Sequence, residues 1–152
     1  MKKKFIVAAA VILVLICALA FILRPLSFDD SFVYIAIGYM ETSLGDSAAP
    51  VVRSAEFSFS PQDGEFGQIK QVLEKYSYHH SLATLFGAAG SNREEPGYTL
   101  TIGLQYGDTA QSIVITQSPY ITIGSAVYRV GYWGNAEVVA LGGEIRAVLR
   151  LD

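Results

Sequence analysis

Hydrophobic and polar positions divide the chain into one uninterrupted apolar run and a longer region of alternating and helically periodic segments. Residues 5–23 read FIVAAAVILVLICALAFIL, without a charged side chain. Roughly 20 apolar residues cross a hydrocarbon core about 30 Å thick, and a backbone deprived of water there must be helical. The run therefore predicts a transmembrane helix or signal anchor over 5–23, carried by Phe5, Ile6, Val7, Leu13, Leu15, Leu19, Phe21 and Leu23. Arg24-Pro25 ends it, because proline lacks the helical donor and turns its predecessor away from the α conformation. Lys2, Lys3 and Lys4 precede the run, whereas one arginine and then Asp29 and Asp30 follow it. The positive-inside bias then places residues 1–4 in the cytoplasm and the body of the chain outside. Cleavage after Ala18-Leu19-Ala20 would secrete that body instead. The apolar Phe21-Ile22-Leu23 beyond it favours an uncleaved anchor, and bulky Ile16 ahead of Cys17 disfavours a lipoprotein signal.

After a linker over 24–30, residues 31–152 read as one α+β domain with a mainly antiparallel sheet and one or two amphipathic helices. Phe32 to Ile37 is apolar on both parities, as in a central strand covered on two sides. Val51 to Phe59 alternates, with Ala55, Phe57 and Phe59 on one face. Ser60-Pro61-Gln62-Asp63 predicts a helix start capped by Ser60. Phe66, Ile69, Val72, Leu73 and Tyr76 then recur at helical spacing. Residues 78–86 fit either element, and the alternation of Tyr78, His80, Leu82, Thr84 and Phe86 favours a strand. A glycine-rich loop follows over 87–97, then a hairpin with Tyr98, Leu100, Ile102, Leu104 and Tyr106 facing inwards. Two short strands, 120–123 and 126–130, complete a meander. The last segment, 136–149, reads as a helix capped by Asn135, although Gly142-Gly143 in its middle costs about 1 kcal/mol per glycine and leaves a strand open.

Charge sharpens this picture. Of 11 basic residues four flank the apolar run, leaving seven against 14 acidic ones over residues 25–152, a net of −7. Such a surface repels phosphates, which excludes nucleic acid as a partner. The only cysteine is Cys17, so no intramolecular disulfide forms and no thiol is available to the domain.

Candidate chemistry is sparse. His79-His80 are the only histidines; on a strand they point to opposite faces and do not chelate one ion together. No zinc, phosphate-loop, dinucleotide or nucleophile-elbow spacing occurs, so neither metal nor cofactor is expected. Asn92, Arg93, Glu94 and Glu95 crowd polar groups into the glycine-rich loop, as a contact site or a solvated tip. Gly131-Tyr132-Trp133-Gly134 sets two aromatic rings between glycines. Exposed, Tyr132 and Trp133 make a stacking platform; folded back, Trp133 closes the end of the core.

The layout of anchor, two strands, capped helix over 60–76, threonine-rich hairpin over 98–117 and a Val-Tyr-Arg-Val strand resembles small uncharacterised exported domains of Gram-positive bacteria. That resemblance implies a membrane-held extracytoplasmic domain and carries no functional residue with it. The expectation is a non-enzymatic binding module at a bacterial cell envelope, meeting an envelope protein or cell-wall component. The alternatives are an envelope hydrolase using His79 or His80 with Glu94 or Glu95, and a structural subunit of a membrane complex.

Overall fold

The structure, a computed structural model, describes residues 2–26, 28, 31–44, 50–85, 97–132 and 135–151, with side chains described for these except 2–5, 23, 44, 82 and 85. Eleven elements are described among these residues. They are α1 (Lys2–Leu23), β1 (Tyr34–Leu44), β2 (Pro50–Phe59), α2 (Gly64–Lys75), β3 (Tyr78–His79), α3 (Leu82–Leu85), β4 (Gly97–Tyr106), β5 (Thr109–Ile115), β6 (Tyr120–Ile123), β7 (Ala126–Val130) and α4 (Ala136–Val148).

The strands form one sheet in the order β2-β1-β4-β5-β6-β7-β3, every neighbouring pair antiparallel. Period-two alternation fixes the register, since a slip of one residue would carry every apolar side chain to the wrong face. Ile37 lies opposite both Phe57 and Ile102, Ile102 opposite Ile113, and Ile113 opposite Ile123. That row is the spine of the core. Phe66, Ile69 and Leu73 of α2 and Val138, Leu141 and Ile145 of α4 belong to the same buried cluster. Both helices therefore lie on one face of the sheet. The other face carries Ala36, Thr101 and Ser112, all exposed.

Helix α2 carries the chain from β2 at one edge to β3 at the other. Beside β3 the chain after α1 adds an isolated antiparallel bridge, with the Leu26 N–H donating to the Tyr78 carbonyl at 2.6 Å. Phe28 meets the Tyr78 ring edge-on at 4.8 Å.

Several expectations are revised. The membrane span over 5–23 is the largest: among the described residues no helix is long and apolar enough to cross a membrane. The apolar run lies in α1. Ile6, Val7, Leu13, Leu15, Leu19 and Phe21 stand on this helix 56–65% exposed, and the side chains of Phe5 and Leu23 lie outside the described set. The transmembrane part of the fold class is corrected accordingly. So are the signal anchor, the single-pass topology, the extracytoplasmic location, the membrane as partner and the membrane-held envelope module.

Helix α2 begins three residues later than Ser60-Pro61 suggested. Its N-cap position is Asp63, whose Oδ2 accepts from the Ser60 N–H at 2.7 Å and the Ser60 hydroxyl at 2.9 Å. That carboxylate closes the turn before the helix, and no side-chain hydrogen bond caps the helix itself. Over 78–86 the strand lasts only two residues before α3 takes over. Ser81 and Thr84 exchange side-chain bonds at that start, the Thr84 hydroxyl accepting from the Ser81 N–H at 2.8 Å. Strand β1 has one buried face, because Ile35 and Ile37 are buried while Tyr34 and Ala36 are exposed. The last segment is the helix α4, and Gly142 explains its own presence: a Cβ there would overlap the Tyr98 hydroxyl.

Candidate functional site

The sheet end where β7 hands over to α4 holds His79, His80 and Tyr132, the described residues among those singled out for chemistry. Strand β7 pairs with β3 through Tyr78 opposite Val130 and His79 opposite Arg129. Beyond the last pair the Gly131 N–H donates to the Ser77 carbonyl at 2.9 Å. Gly131 has φ 68°, in the left-handed region that favours glycine, and a Cβ there would overlap the Glu137 carboxylate of α4. Two constraints thus demand glycine at this turn. The turn brings Tyr132 back over β3, where its ring meets His79 edge-on at 4.5 Å.

His79 is 4% exposed and Tyr132 46%. The pair is thus a buried imidazole beneath a half-open aromatic ring. His79 Nδ1 lies 3.3 Å from the Arg129 carbonyl. A carbonyl only accepts, so Nδ1 carries the proton and Nε2 the lone pair. Burial pushes the imidazole below its ordinary value, Arg129 pushes the same way, Glu137 opposes them and His80 adds a further lowering. His79 is neutral at neutral pH.

His80 takes a different environment, as the strand alternation requires. Its ring lies 4.7 Å from that of Tyr128 and stacks on Phe21 of α1 at 5.8 Å. The two histidines therefore serve separate contacts. Among the described residues no group of three His, Cys, Asp or Glu side chains could hold a metal ion.

Trp133 lies outside the described residues, as do Asn92, Arg93, Glu94 and Glu95. Of the predicted binding residues the structure places Tyr132. It adds Arg129 and Glu137, which sequence reading did not single out, and makes Gly131, read there as a flank of the aromatic pair, a required glycine. Gly131 carried a signal, being a glycine directly after a strand, whereas Arg129 and Glu137 are neighbours only through strand pairing and the α4 turn.

A second polar group joins α2 to α4. The Glu144 carboxylate pairs with the Lys75 ammonium and accepts from the Tyr76 hydroxyl at 2.9 Å. These bonds hold Glu144 below the usual carboxylate range. Burial, then Glu144, pushes the Tyr76 phenol up to about 12. This group fastens one helix to the other and is a structural clasp. Comparison with known proteins finds no matching family model, no matching curated protein and no matching solved structure.

Proposed function

We propose that this α+β domain is a non-enzymatic recognition module whose contact site is centred on Tyr132 and takes a partner presenting basic side chains. The observation that carries the reading is the Tyr132 ring, 46% exposed yet held edge-on against a buried His79. An aromatic ring fixed before binding offers a large contact area at little entropic cost. Its surroundings select the sign of the partner. The Glu137 carboxylate packs against the adjacent Gly131, and residues 25–152 carry a net charge of −7. An ammonium or guanidinium over the ring gains a cation–π attraction of about 0.5–2 kcal/mol, and a nearby carboxylate adds to it. Catalysis by His79 has less support, because its ring is enclosed and its Nδ1 is committed to a backbone carbonyl.

The test is a titration of isotope-labelled protein, followed by amide chemical shifts, with lysine-rich and glutamate-rich peptides of equal length. The lysine-rich peptide is expected to shift residues 130–132 and 135–138 selectively, and Tyr132→Ala to abolish that pattern. Shifts scattered over every acidic side chain, indifferent to Tyr132→Ala, would sink the reading.

A further inference from the structure

The two edges of the sheet are built differently. At one, β3 has only two residues, and the chain at Leu26 already bridges to its Tyr78. At the other, β2 runs for ten residues in unbroken register with β1, and no strand lies on its outer side among the described residues. A long edge without a bulge, and with proline only at its first residue, presents a row of unpaired N–H and C=O groups. Such a row is a template for one more strand.

The sequence of β2 is complementary to itself. Side chains directly opposite in an antiparallel pair share a face, so a two-fold axis that keeps both faces of the sheet continuous passes through a residue, not between two. An axis at Arg53 sets two guanidinium groups opposite each other, and one at Glu56 sets two carboxylates so; like charges there are destabilising. An axis at Ser54 puts the Glu56 carboxylate against Val52 of the second copy. An axis at Ala55 removes these conflicts and overlaps residues 51–59 in full. On the helix side Val51 then meets Phe59, Ala55 meets its own copy, and Arg53 meets the Phe57 ring, a cation–π pairing. Phe57 and Phe59, half-buried and stacked at 6.4 Å, gain cover. On the open side the Glu56 carboxylate meets the Ser54 hydroxyl, which donates to it. We infer that β2 is the interface of a two-fold dimer of this chain, in which residues 51–59 of two copies pair about Ala55. Because the β3 edge is taken, pairing stops at two copies and no filament grows. Tyr132 lies beside β3, across the sheet from β2, so the dimer carries one such ring at each end. The inference stands on the edge alone and does not need the recognition reading.

The experiment is sedimentation equilibrium of the full chain at concentrations up to roughly 1 mM, with variants at positions that are exposed on the open face and urea unfolding to show that each variant folds. The native chain is expected to dimerise reversibly. Ser54→Glu sets carboxylates opposite one another on both sides of the axis and should weaken the dimer roughly tenfold. Adding Glu56→Lys turns both repulsions into attractions and should restore association. Ser112→Glu, an equal charge on the same face but in β5, should change nothing. A native chain that stays monomeric throughout overturns the inference and leaves the edge to a foreign strand. Association that ignores Ser54→Glu overturns it as well, and so does a loss that Glu56→Lys fails to restore.

Discussion

At the scale of single residues, one glycine and two carboxylates show how local chemistry decides more than propensity does. Gly142 sits inside α4, where an alanine would gain about 1 kcal/mol of helix propensity, yet the Tyr98 hydroxyl occupies the space its Cβ would need. Overpacking of that kind costs about 1–3 kcal/mol, so Gly142→Ala should destabilise the domain in urea denaturation. Tyr98→Phe in the same chain should recover part of the loss. Asp63 shows the matching electrostatic case. Hydrogen bonds from the Ser60 backbone and hydroxyl hold its carboxyl below the ordinary value, as those from Lys75 and Tyr76 do for Glu144. Both contribute stability that is present above the ordinary carboxylate values and lost as pH falls through the depressed ones. Acid unfolding curves of Asp63→Asn and Glu144→Gln should therefore each be flatter than the native curve below about pH 4.5. The sequence suggested Ser60 as the cap of α2. It did not show that the Asp63 side chain turns back to Ser60 and leaves the helix without a side-chain cap.

At the scale of elements, alternation and helical spacing were sufficient wherever one face is buried and the other open. The β4–β5 hairpin and α2 follow the pattern read from 98–117 and 66–76, and the structure turns the hairpin at Gly107 with φ 55°. Reading failed where a pattern had two solutions. Residues 32–37 are apolar on both parities, which suggested burial on two sides. The structure leaves Tyr34 and Ala36 open, because both helices sit on the opposite face. Residues 78–86 fit a strand by alternation, but Ser81 and Thr84 supply reciprocal side-chain bonds that start α3 instead. Burial also sets where mutations hurt. Ile102 is fully buried in the central strand, and Ile102→Ala should cost about 2–5 kcal/mol in denaturant unfolding. Val52 on the outer strand is exposed, and Val52→Ala should stay within about 0.5 kcal/mol.

At the scale of the whole molecule, the buried cluster runs from Phe32 to Leu149 and, among the described residues, takes no side chain from α1. Contacts between α1 and the rest centre on Phe21 against His80, with the chain just after the helix bridging to Tyr78. A chain beginning at residue 24 should therefore keep a cooperative unfolding transition within about 1 kcal/mol of the full chain, by the small effect expected of changes outside a core. The candidate site was only partly legible for the same reason of scale. Tyr132 could be read as an aromatic between glycines, but its ring partner His79, and the Arg129 and Glu137 that act on His79, come from three elements that only the folded sheet brings together. Charge is the whole-molecule property that gives the site a direction, since a net of −7 over residues 25–152 favours basic partners and steers them at low salt. The claim that joins these scales is that a preformed Tyr132 ring is what a cationic partner engages. Calorimetric titration of the native chain and Tyr132→Ala with one lysine-rich peptide, at neutral pH and moderate salt, measures it most directly. The account predicts that the variant binds roughly tenfold more weakly, about 1.4 kcal/mol, and equal affinities for the two chains would contradict it.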